Sequence, residues 1–186
     1  MSVLWVVMLL VAAQRLAELA YARRNTHRLK AEGAYESGAG HYPFLVAVHV
    51  LWLVSLAVSV PAGQAPNWAL LGVFLGLQGL RVWVLASLGR YWTTRIITLP
   101  GAPLVRRGPY RWLRHPNYLV VAGEIAVLPL AFGAWQIAAV FTLANALVLW
   151  IRIRAEEQAL VTRPRDDAQA GSTTSPTISA PREAMK

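Results

Sequence analysis

Runs of apolar residues, each close to the length of a bilayer crossing, constrain this chain more than any other feature. Residues 3–21, 43–60, 68–88 and 118–150 are dominated by Leu, Val, Ala, Ile, Phe and Trp. A helix needs about 20 such residues to cross a hydrocarbon core about 30 Å thick. Composition agrees: 56% of residues are hydrophobic and the mean hydropathy is +0.42, against roughly 45–50% apolar residues in a soluble domain. A length of 186 residues suits one domain. We read a membrane domain over 1–162 and a disordered polar tail over 163–186, RPRDDAQAGSTTSPTISAPREAMK. The N-terminal run is no cleavable signal: it lacks a basic start, is too long, and carries Arg15 and Glu18. The absence of cysteine rules out disulfides, thiolate metal sites and a cysteine nucleophile.

The last run is too long for one crossing, since at 1.5 Å per residue it would extend roughly 50 Å. The phrase FGAW around Gly133 offers a turn. The expected fold class is therefore all-α integral membrane, with five transmembrane helices, the last two forming a hairpin with short arms. Charge placement tests this layout. The net charge is +9 and the pI about 10.8, a balance that in a soluble protein would point to nucleic acid. Of the 18 Lys and Arg, all but Arg15 and Arg81 fall between the first two spans, in the 89–117 loop, or after Trp150. Five helices place those segments on one side, which the positive-inside rule makes cytoplasmic. A single fourth helix would separate Arg114 from Arg152. A multi-pass protein of a bacterial cell membrane, N-terminus outside and active site and C-terminus cytoplasmic, accounts for the charge without nucleic acid.

Polar residues inside the spans are expected to turn toward protein, because charge at membrane depth is costly. Arg15 and Glu18, spaced i,i+3, share a face and read as a pair that holds helices together, with a direct site role as the alternative. His49 reads as hydrogen-bonded packing, and Arg81 as a side chain that snorkels to the basic end. Gly72, Gly76 and Gly79 permit close helix contact. The 25–42 segment reads as a polar loop, in which Glu32, Glu36, His41 and Tyr42 could reach a substrate. A solvated loop is the better account of most of them.

Two constellations carry chemistry. Residues 106–124, RRGPYRWLRHPNYLVVAGE, form a basic, aromatic-rich loop that runs into an apolar helix. Pro116 suits a first helical turn, and the free N–H groups there attract an anion such as a ligand carboxylate or phosphate. Tyr110, Trp112 and Tyr118 offer flat surfaces for an adenine or an apolar chain, and Glu124 lies about 9 Å farther along the helix than Tyr118. The second constellation is Arg152, Arg154, Glu156 and Glu157. Arg152 and Glu156 are i,i+4, so the carboxylate can hold the guanidinium in place for forked recognition of a carboxylate. A juxtamembrane basic cluster with a weak surface ion pair accounts for the same spacing equally well. The four histidines lack metal-ligand spacing, so no metal is expected. A Gly-rich dinucleotide loop and a nucleophile elbow are also missing.

With both constellations in view, the chain resembles the isoprenylcysteine carboxyl methyltransferase family of integral membrane methyltransferases. GPYRWLRHPNY at 108–118, Glu124 and the Arg152…Glu156-Glu157 pattern carry the likeness, over residues 89–160. The resemblance implies S-adenosyl-L-methionine as cofactor, enclosed between the last helices and the 89–118 loop, and a lipophilic acceptor entering from the bilayer. It implies cofactor-pocket roles for Tyr110, Arg114, His115, Pro116, Tyr118 and Glu124, and places Arg152 and Glu156 near the acceptor as catalytic residues. The GAYESGAGHYP segment is similar to a bacterial branch associated with methylating phenolic or pyrone polyketide lipids. RHPNY followed by a glutamate also resembles membrane sterol reductases, which use NADPH, but the close of this chain departs from their Lys-Tyr-Gly ending.

Overall fold

The computed structural model of the chain describes residues 2–37, 40, 42–102 and 105–161, with side chains as far as Glu156. His41, the side chain of Glu157 and the 163–186 tail lie outside the described residues. Five α-helices dominate: α1 (Val3–Ala31), α2 (Tyr42–Ser59), α3 (Trp68–Leu88), α4 (Pro116–Ala131) and α5 (Trp135–Val161). Four are long and apolar enough to cross a membrane, and α4 is a shorter apolar helix. A multi-pass, mostly helical membrane protein follows. The one extended element among the described residues is a small antiparallel pair, β1 (Tyr35–Ser37) with β2 (Ile96–Thr98), in which Tyr35 faces Thr98.

The expected hairpin is present, but its arms are unequal. Helix α4 has 16 residues, α5 has 27, and Gly133 turns between them at a φ of 74°. Pro129 near the end of α4 brings no hydrogen of its own to the helix, while its carbonyl accepts from Phe132 and Ala134 in the turn. Asn67 caps α3, its side chain accepting from the backbone N–H of Ala69 and Leu70, and its own N–H donates to the Ala131 carbonyl at 2.7 Å. The 61–67 turn and the Gly133 turn are thus tied at one end of the bundle. Leu4, Val60, Leu71 and Phe132 close an apolar core beside them.

The basic segments gather at the opposite end, and here two expectations need correction. The segment 25–31 is helix, not loop. No Gly or Pro interrupts 22–31, Leu29 and Ala22 stay buried, and α1 ends only where Gly33 follows. At 1.5 Å per residue α1 measures about 44 Å and projects beyond a 30 Å core. Arg81 does not snorkel: it is buried, with Nε 2.6 Å from Glu18 Oε1 and Nη2 2.5 Å from Glu18 Oε2. A partner carboxylate at the same depth outweighs the pull of the membrane surface. Close helix contact also falls elsewhere than expected. Gly72, Gly76 and Gly79 meet nothing, whereas a Cβ at Gly123 of α4 would stand 3.0 Å from Leu77 of α3.

Candidate active site

The 89–115 loop is held against the helix ends at several points. Asn25, buried on the extended part of α1, donates from Nδ2 to the carbonyls of Gly89 and Trp92 at 3.1 and 2.9 Å. Arg107 Nε donates to the Ser87 carbonyl at 2.6 Å, which seats the loop on the end of α3. Gly108 follows with a φ of 56°, so close to α3 that a Cβ would lie 2.0 Å from Ser87 Oγ. Only glycine accommodates both the left-handed backbone and that approach. The 3-10 turn Gly108–Arg111 then buries Pro109 and presents Tyr110. Burial, reinforced by the Glu156 carboxylate, pushes the Tyr110 hydroxyl above the ordinary tyrosine range, so it remains a donor at neutral pH.

Pro116 takes the first turn of α4, and His115 precedes it without using its ring to cap the helix. The ring is therefore available to stack on Tyr118, with centroids 5.2 Å apart and planes inclined by 12°. Tyr118 is the junction between α4 and α5. Its hydroxyl accepts from Arg152 Nε at 2.9 Å and donates to Glu156 Oε2 at 2.5 Å. The expected Arg152–Glu156 partnership thus runs through a phenol that spacing on one helix could not show. His115 Nδ1 stands 3.8 Å from the same carboxylate oxygen.

These groups line a cavity of about 510 Å³ between the 89–115 loop, β2 and the facing ends of α4 and α5. Tyr110, Arg114, His115, Tyr118, Arg152 and Glu156 all contribute to its wall. Its volume falls within the range of small-molecule sites. Several of its polar atoms are buried without a partner among the described residues: His115 Nε2, Asn117 Oδ1, Trp92 Nε1 and Arg152 Nη1. Trp92 and Asn117 were not singled out from the sequence. Asn117 lies within RHPNY, and its neighbours were the signal that could have found it; Trp92 carries no comparable one.

Pro116 and Glu124 are not among the lining residues. Pro116 is buried in the first turn of α4. Glu124 departs from expectation because six residues along a helix rotate it about 240° from Tyr118, onto another face. There it is buried, with Oε2 2.5 Å from Arg15 Nη2 and 3.3 Å from Arg81 Nη1, and Oε1 accepting from Gln78 at 2.9 Å. The Arg15–Glu18 pair joins the same network, with Nη1 and Oε2 3.2 Å apart. It binds α1 to α3 and α4, as the helix-holding reading of that pair expects.

Helices long enough to cross a bilayer define a multi-pass membrane protein, with a loop-walled cavity at one end of the bundle. The sequence model of the isoprenylcysteine carboxyl methyltransferase (ICMT) family matches residues 70–162. The chain belongs to that family of membrane methyltransferases. It is 42% identical over 160 residues to the uncharacterized protein YpbQ of Bacillus subtilis (strain 168), covering 84% of this chain and 95% of that one. An uncharacterized protein of Haemophilus influenzae is 25% identical over 155 residues, covering 81% and 90%. No solved structure matches the chain.

Proposed function

We propose that this protein moves a methyl group from S-adenosyl-L-methionine to an oxygen of a lipophilic acceptor that enters from the bilayer. The observation that carries this reading is the ring of buried, unpartnered polar atoms around one cavity. Each such atom costs about 1–3 kcal/mol when left unmatched, which favours a polar ligand in this cavity. The cofactor would supply a methyl already activated on a sulfonium. Arg114 and the N-terminal end of α4 suit its carboxylate, and Tyr110 and Tyr118 offer flat aromatic surfaces. The remaining task for the protein is to align donor and acceptor and exclude water.

Arg152 is the residue we place at the acceptor oxygen. Its Nε is fixed by the Tyr118 hydroxyl, which is itself fixed by Glu156, while Nη1 is left over as a donor. A carboxylate acceptor is already ionised at neutral pH and needs only that orientation. A phenol, with an ordinary pKa near 10, must also lose a proton, and the unpartnered His115 Nε2 is a group able to receive it. The acceptor class therefore separates on His115→Gln. Methylation of a carboxylate lipid survives it, and methylation of a phenolic or pyrone lipid falls steeply.

We further propose five membrane-inserted helices in the cell membrane, with this cavity on the cytoplasmic side, where a soluble cofactor has access. The basic end of the bundle and the positive-inside rule support that orientation. The reading is tested by thermal unfolding of the detergent-solubilised protein. S-adenosyl-L-methionine at 100 times its dissociation constant should add about 2.7 kcal/mol of stability. A response to NADPH with none to S-adenosyl-L-methionine would overturn it in favour of lipid reduction.

A further inference from the structure

A second recess, of about 280 Å³, opens beside the first between the projecting part of α1, β1, the start of α2 and the segment before β2. Its position along α1 sets its depth. Twenty residues of helix from Val3 span about 30 Å, the thickness of a hydrocarbon core, so a helix that enters the core at Val3 would leave it near Arg23. Arg23, His27 and Lys30 follow at i, i+4 and i+7 and share one face of the helix. Leu19, one turn deeper, forms an apolar lip. Arg95 closes the recess from the opposite side, its guanidinium 4.7 Å from the centre of the Tyr42 ring.

The charges do not cancel. The Glu36 carboxylate is shared between Arg95 Nη1 at 2.6 Å and Lys30 Nζ at 3.2 Å. Arg23 and His27 have no side-chain partner among the described residues. Arg23, Lys30 and Arg95 therefore face one carboxylate, with the His27 ring beside them. A basic floor under an apolar lip at headgroup depth is complementary to a phosphate borne on acyl chains. We propose that this recess binds a phosphate anion, and that the anion is the headgroup of a membrane lipid. Arg95 also lines the larger cavity, so the bound lipid would lie against the wall of the active site without entering it. The site stands independently of the reaction proposed above.

The test uses the full chain in an uncharged detergent, with the thermal unfolding midpoint as readout. The probes are phosphatidylglycerol, the diacylglycerol with the same chains, and inorganic phosphate. Phosphatidylglycerol should raise the midpoint by at least about 2 °C, and diacylglycerol should not. The rise should vanish in the Arg23→Gln, His27→Gln double variant, whose replaced side chains are exposed and unbonded and so leave the fold intact. An equal rise with inorganic phosphate alone would support the anion site and assign its source to free phosphate. No phosphate-dependent rise, or one that persists undiminished in the double variant, overturns the proposal.

Discussion

The Arg15–Glu18–Arg81–Glu124 network and the His115–Tyr118–Arg152–Glu156 group both use α4 as a wall, and they are finished in different ways. In the first, both carboxylates are held by guanidinium groups from two helices, and only Arg15 Nε and Gln78 Oε1 are left over. It encloses no cavity among those described and ties α1, α3 and α4 together. In the second, a hydroxyl bridges a cation and an anion, and buried donors and acceptors remain unused beside a 510 Å³ cavity. Charge buried in a membrane protein is commonly a functional signal. The difference here lies in surroundings: each leaves two of its own atoms unpartnered, but the first is closed between three helices and the second opens onto a cavity.

This contrast can be broken, most forcefully in the closed network. Arg81→Met leaves Glu18 and Glu124 short of a buried partner and should cost about 3–5 kcal/mol, measured by unfolding in detergent. A loss below about 1 kcal/mol would mean that the network is not what holds α1 to α3. In the open group the effect moves from stability to turnover. Arg152→Ala should lower methyl transfer at least about 100-fold, equivalent to about 2.7 kcal/mol of barrier, with S-adenosyl-L-methionine affinity and the unfolding midpoint little changed. Unaltered methylation by the purified variant would remove Arg152 from the acceptor site.

Gly108→Ala probes the loop between the two clusters. A Cβ there meets Ser87 Oγ at 2.0 Å on a left-handed backbone, so a cost of about 1–3 kcal/mol is expected. Cofactor affinity should weaken as Tyr110 shifts, and wild-type affinity in a titration would show that the loop does not set the cavity wall. The smallest effect is expected at Glu36. Burial acts to raise its pKa, but hydrogen bonds from Arg95 and Lys30 outweigh it and hold the carboxyl below its ordinary value. A depressed folded-state pKa contributes stability above the unfolded value, which is lost as pH falls through the folded one. Glu36→Gln should therefore flatten a shallow acid-side loss of stability by less than about 1 kcal/mol, visible as a smaller fall in the unfolding midpoint below pH 4.5.

Much of this arrangement is legible in local sequence. Hydrophobic run length places α2 and α3 within about a residue at each end, and a single glycine in an overlong run marks the hairpin. The six cavity residues that carry a chemical signal in the sequence, Tyr110, Arg114, His115, Tyr118, Arg152 and Glu156, lie in two short segments. What escapes is whatever depends on a partner distant in sequence. Arg81 and Glu124 read as a snorkelling cation and a pocket carboxylate because nothing near them in the chain reveals the other. Tyr118 as the bridge between Arg152 and Glu156 is hidden for the same reason, since α4 and α5 meet only in the fold. The extension of α1 escapes because the glycines at 33, 38 and 40 make the whole 25–42 segment read as irregular. A run such as RRNTHRLKA is polar and still a good helix.

The pair of hydrogen bonds from Asn25 gives that extension a mechanical consequence. A helix about 44 Å long answers a thinner or thicker bilayer chiefly by tilting, and its projecting end sweeps the widest arc. Asn25 fastens this lever to the carbonyls of Gly89 and Trp92, which begin the loop that walls the cavity. A change in the tilt of α1 would therefore carry the start of that loop with it.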